Sequence, residues 1–182
     1  AYLSRYNFNC NDVPSTTITL TVEDESGNTA TCTATVTVND NGGPSIGSCP
    51  NDVTLSTSLG TQVNDCIAPY TWNHPTATDP CGITNPVPLK ITLPGGNMVN
   101  QNVQVADLGT SFSFDFPLGT SSVEYTFDDG NGNETICEFA VVVIDTTPPT
   151  QVGGIQDGDT LMFNTAPGIC AALVDLSDTL PT

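Results

Sequence analysis

The sequence predicts an all-β protein built of sandwich modules in tandem, and three observations predict it. Apolar residues alternate with Thr or acidic residues at every second position over several stretches. Gly, Asn, Asp and Pro, the turn-forming residues, punctuate those stretches. A segment of the chain recurs about 105 residues further on, close to the length of one small sandwich domain. No segment carries a helical period.

The first alternating stretch sets Ile18, Leu20 and Val22 against Thr17, Thr19 and Thr21, a strand with one buried and one wet face. Asp24-Glu-Ser-Gly-Asn28 follows as a turn. Cys32, Ala34, Val36 and Val38 then alternate with Thr31, Thr33, Thr35 and Thr37, completing a hairpin. Residues 18–32 lie without a gap over 123–137. The hairpin therefore recurs as Val123, Tyr125 and Phe127, a turn at Asp128-Asp-Gly-Asn-Gly-Asn133, then Cys137, Phe139, Val141 and Val143. Upstream of it, Val53–Ser56 and residues 66–72 read as opening strands, with Trp72 a core residue. Residues 83–118, rich in Gly and Pro, are expected to form shorter middle strands. Phe112, Phe114 and Phe116 alternate with Ser and Asp and are expected to face the core. His74, the one histidine, is expected in a surface loop. A second match sets Cys66-Ile-Ala-Pro-Tyr70 over Cys170-Ala-Ala-Leu-Val174. The repeat divides the chain into the closing part of one module (1–40), a complete module (41–146) and the opening part of a third (147–182).

Two Lys and Arg stand against 20 Asp and Glu, a formal charge of −18. Nucleic acid is excluded as a partner, because phosphate binding needs a basic face, and so is adhesion to anionic lipid. No apolar run reaches the roughly 20 residues of a membrane helix. Seven cysteines without a CxxC pair point to disulfides and an extracellular setting. No nucleophile elbow, P-loop or HExxH run occurs, and Asp128-Asp129 lie on a turn rather than in a cleft. Neither an enzyme nor an organic cofactor is expected. Calcium is the one ligand the pattern suggests. Asp24, Asn28 and Asp40, repeated as Asp129, Asn133 and Asp145, set hard oxygen donors at a turn and at a module boundary. The same residue types also form turns without any ion.

Cys49, Cys66, Cys81 and Cys137 fall in the complete module and allow three connectivities. Cys10, Cys32 and Cys170 fall in the partial ones. The odd total implies a partner outside the chain or a free thiol, and nothing in the sequence assigns a partner to Cys32.

Several features in order carry a family resemblance. They are Cys49-Pro50, then Trp72-Asn-His-Pro75-Thr-Ala-Thr-Asp79-Pro-Cys81-Gly82, then Phe116-Pro-Leu-Gly-Thr120, then Asp129-Gly-Asn-Gly-Asn133 with Cys137, and the spacer Asp145-Thr-Thr-Pro-Pro149. Together they resemble the HYR (hyalin repeat) module, an immunoglobulin-like β-sandwich found in tandem on secreted and cell-surface proteins. Phe8-Asn-Cys10-Asn-Asp-Val13 resembles a bacterial variant of that repeat in long surface adhesins. One departure is that Gly153-Gly154 stands where Cys49-Pro50 would fall in the third module.

The resemblance implies the pairs Cys49–Cys137 and Cys66–Cys81. It also implies a structural segment of an extracellular fibre, stalk or adhesin, or alternatively a module that binds a surface glycan or a protein receptor. The partial ends suggest an assembly in which copies join head to tail. Residues 147–182 of one unit would complete the module of 1–40 in the next, with Cys10 and Cys170 paired across the join. Asn133-Glu-Thr135 is an N-glycosylation sequon. Asp145-Thr-Thr147, Asp159-Thr-Leu161 and Asp178-Thr-Leu180 resemble an O-linked acceptor pattern, with Thr146, Thr160 and Thr179 as acceptors.

Overall fold

The computed structural model of the chain describes residues 1–57 and 66–146. Residues 147–182, and with them Cys170, Thr160 and Thr179, lie outside that description.

The first alternating stretch forms a three-stranded antiparallel sheet of β1 (Tyr2–Leu3), β2 (Ser15–Glu23) and β3 (Thr29–Thr37). β2 and β3 pair from Ser15↔Thr37 to Glu23↔Thr29, with Leu20 opposite Cys32. Side chains alternate between the two faces of a strand, so Ile18, Leu20 and Val22 share a face with Ala30, Cys32, Ala34 and Val36. The threonines take the other face. No described element covers the apolar face: Val22 is 42% exposed, and Cys32 and Ala34 are exposed as well.

The complete module adds β4 (Ser45–Ser48), β5 (Val53–Ser56), β6 (Ile67–Asn73), β7 (Thr76–Thr78), β8 (Val87–Thr92), β9 (Met98–Val103), β10 (Ser111–Pro117), β11 (Gly119–Asp128) and β12 (Glu134–Ile144). β11 and β12 form the second copy of the hairpin, and Tyr125 stands opposite Cys137 as Leu20 stands opposite Cys32. The sequence repeat is thus a structural repeat in the same register. One sheet runs β5-β12-β11-β8-β9, with β5 parallel to β12. Facing it is the β6–β10 pair, with β4–β7 as a further two-stranded ladder. The expected all-β sandwich is what forms.

Alternation decides what fills the sandwich. Val123, Tyr125 and Phe127 from β11, with Phe139 and Val141 from β12, are at most 2% exposed. Burial of such side chains contributes roughly 1.5–3 kcal/mol each. From the facing layer, Trp72 packs edge-on against Phe139 at 5.6 Å and tilted against Phe116 at 5.9 Å. Phe112 and Phe114 flank this core and Phe116 is fully buried, so β10 presents no outward aromatic row. One expectation fails here. His74 is buried rather than in a surface loop, because Pro75 and Trp72 are buried beside it and its ring lies between Phe112 and Tyr125.

Candidate functional site

The described residues hold no cleft lined by reactive side chains. The chemistry of the chain concentrates instead where residues 1–40 meet the complete module. That meeting point is built from three loops.

The first loop precedes β2 and is shaped by Asp12. Asn9 caps a short 3-10 turn at Cys10–Asp12, its side chain accepting from the Asn11 N–H at 3.0 Å. Its own N–H donates to the Asp12 carboxylate at 2.8 Å. Arg5 grips the same carboxylate through both terminal nitrogens. The Asn9 N–H, and after it Arg5, hold the Asp12 carboxyl below its ordinary range against the opposing effect of burial. This clasp presents Cys10 to Cys81, and the two form a disulfide with Cα atoms 5.0 Å apart. In the second loop, which follows β7, the Asp79 carboxylate accepts from the Cys81 N–H at 2.7 Å and fixes the other half of the bridge.

The third loop is the β11–β12 turn. Asp129 accepts from the Asn131 N–H at 2.7 Å, the Asn133 N–H at 3.1 Å and the Asn133 side-chain amide at 2.6 Å. The Asn133 side chain, before the backbone donors, holds the Asp129 carboxyl low. The β2–β3 turn repeats this wiring, with Asp24 accepting from the Ser26 and Asn28 N–H groups and the Asn28 amide. The two turns differ in what they touch. The Asn133 amide also donates to the backbone carbonyls of Asp40 and Gly42, at 3.2 and 3.4 Å, and Asn131 donates to the Asp40 carboxylate at 3.2 Å. The segment joining the two halves therefore lies on the turn, while Asp24 and Asn28 are exposed.

The structure gathers Asp40, Asp129 and Asn133 of the suggested calcium donors and adds Asp79, which sequence reasoning missed. It leaves Asp24 and Asn28 at the remote turn, and Asp145 beside Thr57. Among the described residues, the Asp40 and Asp79 carboxylates and the Cys81 sulfur come within 4.8 Å of one another. That sulfur is bound in a disulfide, so it offers no thiolate. Each of these carboxylates accepts from an N–H of its own turn, and Asn133 turns its N–H donors, not its oxygen, toward Asp129 and Asp40. The donor set as arranged is that of interlocked turns and does not fit a calcium shell of about 6–8 oxygens.

Cys49 is bonded to Cys137, the pair the resemblance implies. Two other expected pairs are corrected. Cys81 bonds to Cys10, so neither Cys66–Cys81 nor Cys10–Cys170 forms; Cys66 is in a disulfide all the same. The reason is strand geometry. The Cys66 carbonyl meets the Leu118 N–H at the start of β6, whereas Cys81 follows β7 beyond the other end of β6. The seven residues of β6 alone span roughly 20 Å, and a disulfide needs Cα atoms within about 7 Å. The sequon Asn133 is also placed differently from what glycosylation requires, since the nitrogen a glycan would take is engaged in the turn and against Asp40 and Gly42. Thr146 is exposed.

A profile of the HYR domain matches residues 39–143. Hyalin of Strongylocentrotus purpuratus is 35% identical over 135 residues, covering 68% of this chain and 9% of that protein. Hyalin of Lytechinus variegatus is 30% identical over 171 residues, covering 76% and 31%. The Sushi, von Willebrand factor type A, EGF and pentraxin domain-containing protein 1 of Rattus norvegicus is 34% identical over 102 residues, covering 56% and 2%. The chain thus spans less than a third of each of these relatives. They are animal proteins and lend no support to the bacterial element of the resemblance. The disulfides and this kinship make the protein extracellular or cell-surface. The chain belongs to the HYR domain family.

Proposed function

We propose that this chain is a non-enzymatic structural segment of an extracellular fibre, stalk or adhesin, in which successive modules are clamped end to end. The observation that carries this reading is the Cys10–Cys81 disulfide, which crosses from the sheet of residues 1–40 to the complete module. A single peptide linker between two units leaves a hinge, and domain motion about it is the default expectation. A second covalent attachment beside the linker removes most of that freedom. The seating of Asp40 and Gly42 on Asn131 and Asn133 limits it further. Stiffness of this kind suits a part that transmits force or holds a surface at a distance.

The test is small-angle scattering on the chain and on its Cys10→Ser/Cys81→Ser variant. The variant is expected to show a larger radius of gyration and a broader distance distribution, with the β signature in circular dichroism unchanged. Superimposable scattering curves would show that the bridge does not stiffen the joint and would remove the basis of the reading.

A further inference from the structure

An edge strand presents unpaired N–H and C=O groups, and proteins guard such edges with shortness, bulges, proline or charge. The strands of the complete module that lie at edges follow that rule, except one. β4, β5 and β7 are three or four residues long, and the register of β4 slips between Ile46 and Ser48. β6 carries Pro69, and β10 carries Asp115 and ends on Pro117. β9 ends the five-stranded sheet. It runs Met98-Val-Asn-Gln-Asn-Val103, six residues in unbroken register with β8 and without proline or charge.

The β8–β9 hairpin decides which backbone groups face outward. The Leu93 N–H donates to the Asn97 carbonyl at 2.7 Å, so hydrogen-bonded and non-bonded pairs alternate from there along the ladder. Val99, Gln101 and Val103 bond to β8. The backbone groups of Met98, Asn100 and Asn102 point to the open edge, where no element pairs with them among the described residues. Val103 is buried, so the side chains of Met98, Asn100 and Asn102 lie on the outer face of the sheet.

Charge selects the occupant. All 20 Asp and Glu lie outside residues 80–106, and the chain's one lysine, Lys90, lies within them. Glu124, across the β8–β11 ladder, is neutralised by Lys90 at 2.7 Å. This hairpin is therefore a place where two copies of a chain of charge −18 can meet without setting carboxylates against each other. A strongly charged strand would find no opposite charge on β9, whereas a second β9 matches it. Antiparallel pairing about a twofold axis sets Asn100 against Asn100 and Met98 against Asn102, and each pair can exchange both backbone hydrogen bonds.

We propose that the β9 edge pairs antiparallel with β9 of a second copy about a twofold axis at Asn100, joining two five-stranded sheets into one. The contact sets chains side by side and does not depend on the Cys10–Cys81 joint. Strand addition supplies backbone hydrogen bonds. One pair of short strands buries less than the roughly 1,200–2,000 Å² of a stable interface, so the dimer is weak and forms as concentration rises. Salt screens the repulsion between the two acidic chains and tightens it.

The test uses the full chain with its free thiol, Cys32, alkylated so that oxidation cannot mimic association. Sedimentation velocity at rising protein concentration is expected to show a shift toward dimer, larger at higher sodium chloride. The amides of Met98, Asn100 and Asn102 are expected to exchange more slowly as concentration rises, while those of Val99, Gln101 and Val103 are slow throughout. Asn100→Asp keeps the side-chain shape but sets like charges opposite at the axis, and is expected to weaken the dimer at least about tenfold. Asn100→Lys is expected to do the same. An equimolar mixture of the two variants, which sets opposite charges across the axis, is expected to recover the dimer. A chain that stays monomeric over the whole series overturns the proposal. So does a dimer indifferent to Asn100→Asp, which would place the contact at another edge, and so does a mixture that associates no better than its components. Each of these leaves the stalk reading standing, because that reading is tested at Cys10 and Cys81.

Discussion

At the scale of single residues, the core of the complete module is held by a polar contact inside an apolar sandwich. The Trp72 indole N–H donates to the Tyr125 hydroxyl at 2.9 Å, and His74 Nδ1 lies 2.8 Å from the same oxygen. All three groups are satisfied when the hydroxyl accepts from Trp72 and donates to His74, which puts the imidazole proton on Nε2. Burial pushes the Tyr125 hydroxyl up to about 12. Tyr125→Phe leaves the indole N–H and the imidazole nitrogen buried without a partner. It is expected to cost about 2–4 kcal/mol in urea unfolding, with the m-value unchanged. The pH dependence has a worked sign. Burial, only partly opposed by Asp107, holds His74 below its ordinary range. The unfolded chain therefore binds more protons, and stability present above about pH 6.5 is lost as pH falls through the folded value. Asp12, Asp24 and Asp129 are also held low by their hydrogen bonds, so their contribution is present above about pH 4 and is lost below it. Thermal melts are expected to fall in two stages on acidification. His74→Phe should remove the first stage and leave the second. Trp72 was legible as core because an aromatic at an inward strand position has few other uses. His74 was not, since its burial depends on the rings of Phe112 and Tyr125, which come from distant strands.

At the scale of elements, the hairpins were legible in outline and in register because period-two patterning fixes which side chains share a face. The turns were legible as turns but not as docking points. Nothing in Asp129-Gly-Asn-Gly-Asn133 says that Asn133 will hold the chain arriving through Asp40 and Gly42. β1, β4 and β7 were not foreseen, being two to four residues long and too short to show a period. Disulfide connectivity was half legible: the family resemblance implies Cys49–Cys137, which forms, whereas the partner of Cys81 depends on which strand ends meet. The turns carry a direct test. Gly132 has φ +101 and Gly27 has φ +82, a conformation that costs a side-chain-bearing residue about 1 kcal/mol or more. At neither glycine does an added Cβ meet an obstacle, so backbone strain alone is in play. Gly132→Ala is expected to destabilise the complete module by about that amount in thermal or urea unfolding. Gly27→Ala should instead loosen only the open sheet, seen as faster amide exchange in β2 and β3 with an unchanged module midpoint.

At the scale of the whole molecule, charge is the dominant uncompensated term. Both cations are engaged, Arg5 with Asp12 and Lys90 with Glu124 at 2.7 Å, and the formal charge is −18. Self-repulsion of this size destabilises a compact state, and it is sharpest where the Asp40 and Asp79 carboxylates share the joint. Screening shortens such repulsion to about 10 Å at 0.1 M salt, so sodium chloride is expected to raise the melting midpoint. Calcium separates screening from binding. At the joint, Asp40 accepts from the Gly42 N–H and the Asn131 amide, Asp79 from the Cys81 N–H, and Asp129 from Asn131 and Asn133. These donors compete with an ion for the same carboxylates. Calcium chloride at matched ionic strength is therefore expected to raise the midpoint no further than sodium chloride does. An additional rise of more than about 3 °C, reversed by a chelator, would amount to ligand linkage and show that the interlocked turns of Asp40, Asp79 and Asp129 rearrange around the metal.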